Sequence, residues 1–279
     1  MNNIFNINRF GRYLSSDLKR CFANFGISFL LLTFMEVIIY AGTTITGLLF
    51  DGTWSGPEMG FRAFTFGICM TILCITMPGK CYGEITEKRY GSFHLMVPAS
   101  TLEKFLSMTV MTFVVIPATF VAGYLGIDFL LCSADKTCGD AIISFGGILS
   151  EGMKELNEAG LLEFTEAIAR PILYIDDFIG LISLFLMGSV IFKKHKIAYT
   201  LLAAIAFSMV TSTITAPFML NDMVSLLNPD IMTDTDAAAA LIADSSILAN
   251  ISVIDTVNDM ILVAGTMAGT YWRLKTLKF

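Results

Sequence analysis

The sequence predicts an all-α, polytopic membrane protein with six transmembrane helices, an N-terminal amphipathic interfacial helix and both termini in the cytoplasm. Three observations carry that expectation. Hydrophobic residues make up 55% of the 279 and charged residues 15%, against roughly 25% charged in a soluble domain. Six stretches reach or approach the roughly 20 apolar residues that cross a hydrocarbon core of about 30 Å. When those stretches alternate across a membrane, 14 of the 18 Lys and Arg residues fall on one side, the asymmetry that marks the cytoplasmic face. With 23 Phe, 16 Met and a mean hydropathy of +0.70, a soluble globule could not hide its apolar surface. The same composition excludes disordered, collagen-like and disulfide-scaffold classes. A net charge of -6, without a basic, aromatic-interleaved patch, argues against nucleic acid as a partner.

Taken in order, residues 1–25 form the expected interfacial helix. Phe10, Leu14, Leu18, Phe22 and Phe25 recur at helical spacing, with Arg9, Arg12, Ser16, Lys19 and Arg20 on other faces. A basic amphipathic segment before a span fits the cytoplasmic leaflet, where it would lie on lipid or also touch a partner. The membrane-spanning domain then occupies 26–279, with spans at about 26–50, 61–77, 105–132, 172–192, 197–220 and 251–271. The first is too long for a cleaved signal sequence and reads as a retained anchor. The second ends against Pro78, the fourth carries Asp176 and Asp177, and the sixth carries Asp255 and Asp259. With the N-terminus inside, the cytoplasmic segments hold the basic clusters at 9–20, 80–104, 193–196 and 273–278. Arg62, Lys136, Lys154 and Arg170 are left outside.

Between spans two and three, Ser100 and Glu103 have the spacing of a capping box, and Pro98 disfavours helix just before it. The third helix should therefore start near Thr101, below the membrane, with a short separate helix from Glu84 to about Met96. That makes a rigid projection suited to docking a partner. The long segments 133–171 and 221–250 fall outside, the first with an acidic amphipathic stretch at 149–169 and the second with an apolar one at 237–248.

Catalytic motifs are missing from the sequence: no HExxH, no GxSxG elbow, and no Walker A loop around Gly79-Lys80. The chain is therefore read as a non-enzyme without a cofactor or metal site of its own. His195 belongs to a basic turn. The six cysteines lack zinc spacing, but Cys132 and Cys138 both fall on the outer side, where a disulfide between them is possible. Glu36 lies ten residues into the first span, about 15 Å deep. An acid at that depth is a functional candidate by default, or else a hydrogen-bonded structural group. Asp255 and Asp259, four apart on one helix face, either line a vestibule or sit in the interface. With Glu36 they are the candidate translocation-path residues. Gly265 and Gly269 allow close helix packing.

The run Glu87-Lys-Arg-Tyr-Gly91-Ser-Phe-His-Leu-Met-Val-Pro98-Ala-Ser100-Thr-Leu-Glu103-Lys104, with the basic helix before span one and the basic tail after span six, resembles the type-2 permeases of ATP-binding-cassette (ABC) exporters. The extended segment between spans three and four departs from that family's compact pattern. The resemblance implies a bacterial plasma (inner) membrane exporter subunit that works with a second permease copy or homologue. ATP and Mg would sit on a separate ABC ATPase subunit. It also implies a coupling helix formed by Glu84, Glu87, Arg89, Gly91, Phe93, Leu95, Met96 and Pro98. Two other readings stay open: an ion-coupled secondary transporter using Glu36, Asp255 and Asp259, and a non-transporting membrane scaffold or sensor.

Overall fold

The computed structural model describes residues 5–50, 52–86, 96–138, 143, 175–226 and 246–276. Among them every regular element is helical. The order is α1 (Ile7–Thr33), α2 (Met35–Phe50), α3 (Met59–Tyr82) with a 3-10 turn at Gly83–Thr86, and α4 (Thr101–Val110). A π-helical turn (Met111–Val115) joins α4 to α5 (Ile116–Ala134), and a 3-10 turn follows at Lys136–Cys138. The remainder is α6 (Ile175–Ile191), α7 (Lys196–Leu226) and α8 (Ser246–Thr276).

Among the described residues, four segments are long and apolar enough to cross a membrane: Ile7–Phe50, Met59–Thr86, Thr101–Ala134 and Lys196–Ile214. They fall on the first, second, third and fifth expected spans. The chain is an all-helical membrane protein. The fourth expected span corresponds to α6, only 17 residues long, and the sixth lies within the 31-residue α8.

The expected boundary at residue 25 is not a helix boundary. α1 continues to Thr33, and the break falls at Phe34, where φ and ψ are -79° and -2°. The reason is packing. Tyr13, Asp17, Cys21 and Phe25 form the buried stripe of α1, set against α3 and α4, so this face is covered by protein. The chain continues straight because its contacts do. Arg9 meets Glu103, Asp17 meets Ser107, Phe29 meets Phe120 and Tyr40 meets Asp135. α1–α2 and α4–α5 are therefore parallel neighbours over some 30 residues. α3 runs antiparallel to both, from Arg62 beside Asp128 to Tyr82 beside Asp17.

α3 also passes through Pro78, the expected end of span two, and reaches Tyr82. Proline removes one intrahelical bond, a loss that membrane helices absorb through neighbouring contacts; Pro78 is buried among them. Pro117 has a different effect. It lacks the N–H that would close an α turn, and the π turn lies directly before it. The hydroxyls of Thr112 and Thr119 donate to carbonyls on either side, at Met108 (2.8 Å) and Val115 (2.9 Å).

α6 is the hub of the second half and packs against α3, α7 and α8. Small residues allow the close approach. A Cβ on Gly188 would lie 1.9 Å from Thr200 Oγ1, and one on Gly269 would lie 2.9 Å from Met187 Sδ. Gly265 has open space around its Cα, so only half of the Gly265–Gly269 pair serves this contact. Thr266 Oγ1 donates to Ser183 Oγ at 2.9 Å between α8 and α6. α7 is peripheral, with Leu201, Leu202, Ile205, Met209 and Val210 exposed, an apolar face suited to lipid.

Candidate functional site

The buried charged groups concentrate in two layers. On α3, Arg62 and Tyr82 are 20 residues apart, about 30 Å at 1.5 Å per residue, which is the thickness of a hydrocarbon core. The layer near Arg62 is called distal here and the one near Tyr82 proximal.

The distal layer is built by α2, α3 and α5. Arg62 and Asp128 are both 0% exposed. The guanidinium grips the carboxylate in a two-pronged pair, Nε to Oδ1 at 2.7 Å and Nη2 to Oδ2 at 2.6 Å. Asp128 also accepts from Ile143 N at 3.2 Å and from Cys132 Sγ at 3.9 Å. Arg62 Nη1 donates to the Cys138 carbonyl at 3.4 Å. Beside this pair lies Glu36, 1% exposed, whose Oε2 accepts from the Tyr124 hydroxyl. Thr65 Oγ1 is 3.3 Å from the same hydroxyl.

Beyond the layer, the Asp135 carboxylate fastens three segments together. Oδ2 accepts from Tyr40 OH (2.6 Å) and Trp54 Nε1 (2.8 Å), and Oδ1 accepts from Thr137 N (2.9 Å) and Oγ1 (2.7 Å). These donors, Tyr40 foremost, hold the Asp135 carboxyl well below the usual carboxylate range.

The proximal layer joins α1, α3 and α4. Asp17 Oδ2 accepts from Tyr82 OH and Ser107 Oγ, each at 2.9 Å, and Oδ1 accepts from Arg20 Nη2 at 2.7 Å. The Arg20 guanidinium also lies 5.5 Å from the Tyr82 ring centroid, within cation–π range. Below it, the expected capping box is present: Ser100 Oγ accepts from Glu103 N and Glu103 Oε2 from Ser100 N. Glu103 has a second role. Its oxygens accept Arg9 Nε and Nη2, both at 2.7 Å, and Asn6 N at 2.9 Å, so the start of α1 is tied to the start of α4. Lys196, opening α7, donates to the Gly83 carbonyl, and Thr86 Oγ1 donates to Phe192 O at 3.4 Å.

Glu36 therefore lies at the centre of the distal layer. Asp259 is half-buried on α8, which packs chiefly on α6, whereas Glu36 is met from α3 and α5. The side chains of Asp176, Asp177 and Asp255 lie outside the described residues. Of the expected coupling segment, Glu84 sits half-buried in the 3-10 turn, and Met96 and Pro98 are solvent-facing before α4. Glu87, Arg89, Gly91, Phe93 and Leu95 lie outside the described residues. Cys132 and Cys138, the possible disulfide pair, are buried neighbours whose thiols are free in the structure. Cys132 is engaged on Asp128 instead, and Cys138 packs where a Cβ on Gly56 would come within 2.6 Å of its sulfur.

The Arg62–Asp128 pair was not expected from sequence. The readable signal was an acid inside the third apolar stretch matched by a base at the edge of the second. Among the described residues no three His, Cys, Asp or Glu side chains converge to hold a metal. The distal layer offers a neutral, rigid ion pair beside one more carboxyl, and the proximal layer offers a mechanical junction. Compared with known proteins, the chain matches no family model, no curated protein and no solved structure.

Proposed function

We propose that this chain is the membrane-spanning subunit of an ATP-driven exporter of the ABC type-2 permease kind, in a bacterial plasma membrane. It would cross six times with both termini and the proximal layer in the cytoplasm. A second permease copy or homologue would complete the pathway, and ATP and Mg would be held by partner ATPase subunits.

The observation that supports this most is the fastening around residues 87–95. The chain enters that segment from α3 and leaves it into α4. Glu103 ties α4 to α1 through Arg9, and Lys196 and Phe192 tie the α3 end to the α6–α7 turn. A push on this one segment reaches α1, α3, α4, α6 and α7 together. A loop that only links two spans needs no such ties, whereas a force-receiving element needs all of them. Movement of the proximal junction during ATP-driven closure of the ATPases would then be carried along α3 and α4–α5 to the distal layer.

The test is co-purification of an ATPase subunit in mild detergent, with cross-linkers placed at residues 90–95. An apolar anchor buried in the partner carries most docking energy, and rim charges mainly orient it. Phe93→Ala should therefore weaken ATPase binding by about tenfold or more, ~1.4 kcal/mol, and Lys88→Ala by less. Capture of no ATPase by the wild-type chain would end this reading. The ion-coupled carrier, which the buried Glu36 favours, would then lead, and transport driven by an ion gradient without ATP would establish it.

A further inference from the structure

We propose that the Glu36–Asp128 pair is a binding site for one exchangeable proton within the membrane, carried on Glu36. The argument is one of charge and of donors. Among the described residues the distal layer contains two carboxyl groups and one guanidinium, all buried. Arg62 commits Nε and Nη2 to Asp128, one prong to each oxygen. Asp128 is also met by Ile143 N–H and Cys132 S–H. Among the described residues every hydrogen-bonding contact on Asp128 is a donor.

Glu36 is surrounded differently. Among the described residues it receives one donor, the Tyr124 hydroxyl, and Asp128 lies one turn further along α5 from that tyrosine. With Glu36 protonated the layer is neutral, and with Glu36 ionised it holds a net negative charge away from water, which is costly. The groups that face Glu36 are Arg62 and Cys69 from α3 and Tyr124 and Asp128 from α5; none of them adds a second positive charge. Thr65, bonded to the Arg62 carbonyl at 2.8 Å and adjacent to Tyr124, fixes the hydroxyl that orients Glu36. A metal cation is a poorer occupant, because one of the two acids is already saturated by arginine. The site belongs to the folded chain alone and does not depend on an ATPase partner.

The experiment is an infrared pH titration of the full chain in lipid nanodiscs, without nucleotide, following the stretching band of protonated carboxyl groups. In the wild type a band from a buried carboxyl should be present at neutral pH and vanish on alkaline titration. Glu36→Gln should abolish that band, and Asp17→Asn should leave it. Tyr124→Phe, which removes only the orienting hydroxyl, should keep the band but move its titration midpoint by about tenfold in proton concentration or more. This second variant carries the test if Glu36→Gln fails to fold. Exchanging sodium for potassium at constant pH should change nothing. A wild type without the band, a band unmoved by both Glu36→Gln and Tyr124→Phe, or a band displaced by sodium would overturn the proposal.

Discussion

Removing the charge of Arg62 should unfold the bundle more readily than removing that of Asp128, and removing both should cost little. In Arg62→Met, the Asp128 oxygens lose donors at 2.7 and 2.6 Å and keep only the longer contacts to Ile143 and Cys132. The carboxylate is left in a site with no exposure to water. Breaking a buried pair from one side costs about 3–5 kcal/mol. Asp128→Asn is milder, because the amide oxygen still accepts and the freed guanidinium can turn to Glu36. The expected order is about 4 kcal/mol or more for Arg62→Met and about 2–3 kcal/mol for Asp128→Asn. Arg62→Met combined with Asp128→Leu removes both charges and should recover most of the loss. The assay is reversible unfolding in mixed micelles with increasing SDS, read by near-ultraviolet circular dichroism. Single variants costing under about 1 kcal/mol, or a double variant costing the sum of the singles, would refute the placement of this pair as a buried, mutually neutralising unit.

Other outcomes follow from the same contacts. Gly188→Ala should separate α6 from α7 and cost about 1–3 kcal/mol by overpacking. Thr200→Ala should recover part of that, since it clears the overlaps at 1.9 and 2.7 Å but leaves Thr200 Cβ at 2.8 Å; thermal stability of the three variants in detergent checks it. Ser100→Ala should cost about 1 kcal/mol through loss of the cap, whereas Glu103→Ala should cost more because it also releases Arg9 and Asn6. Because the Asp135 carboxyl is held below its usual range, its contribution is complete above the ordinary aspartate value of about 3.9 and is lost only on further acidification. Trp54 fluorescence in a Trp272→Phe background should thus stay flat from about pH 8 to about pH 4, and a transition near pH 6 would contradict the Tyr40–Asp135–Trp54 geometry. For orientation, a cysteine at Thr53 should react with an impermeant maleimide added to intact cells, and one at Lys194 should not, in a background without native cysteines; the reverse pattern would invert the proposed topology.

Much of the fold was legible because membrane helices announce themselves by length and apolarity, and because capping chemistry is local. Ser100 and Glu103 are three residues apart, so their reciprocal bonds could be read directly from the sequence. The N-terminal stretch was harder. A stripe that repeats every three or four residues looks the same whether it faces lipid or protein, and here the buried stripe, Tyr13-Asp17-Cys21-Phe25, is displaced from the one expected and includes an acid. Only the partners of Asp17, from α3 and α4, reveal which surface it meets. Arg62 and Asp128 are 66 residues apart, and sorting basic residues by side of the membrane assigns Arg62 to a loop because it lies one residue inside an apolar stretch. Glu36 was visible as an anomaly, but its neighbours depend on the parallel register of α2 with α5, which no local pattern encodes.

The π turn also sets the register of the two helices it joins. Along α4 and α5 one row of buried positions runs Glu103, Ser107, Met111, Ile116, Phe120, Tyr124, Asp128 and Cys132, with Lys104, Met108, Thr112 and Pro117 buried beside it. The stride is four residues throughout, except for a single stride of five across Met111–Val115. A turn that holds one extra residue lets the helix resume on the same face, so the wide turn works like a leap day: it absorbs an added residue and keeps both halves in step. Removing Val114, which faces outward, should close the turn into regular helix while leaving Tyr124 and Asp128 still facing Glu36 and Arg62.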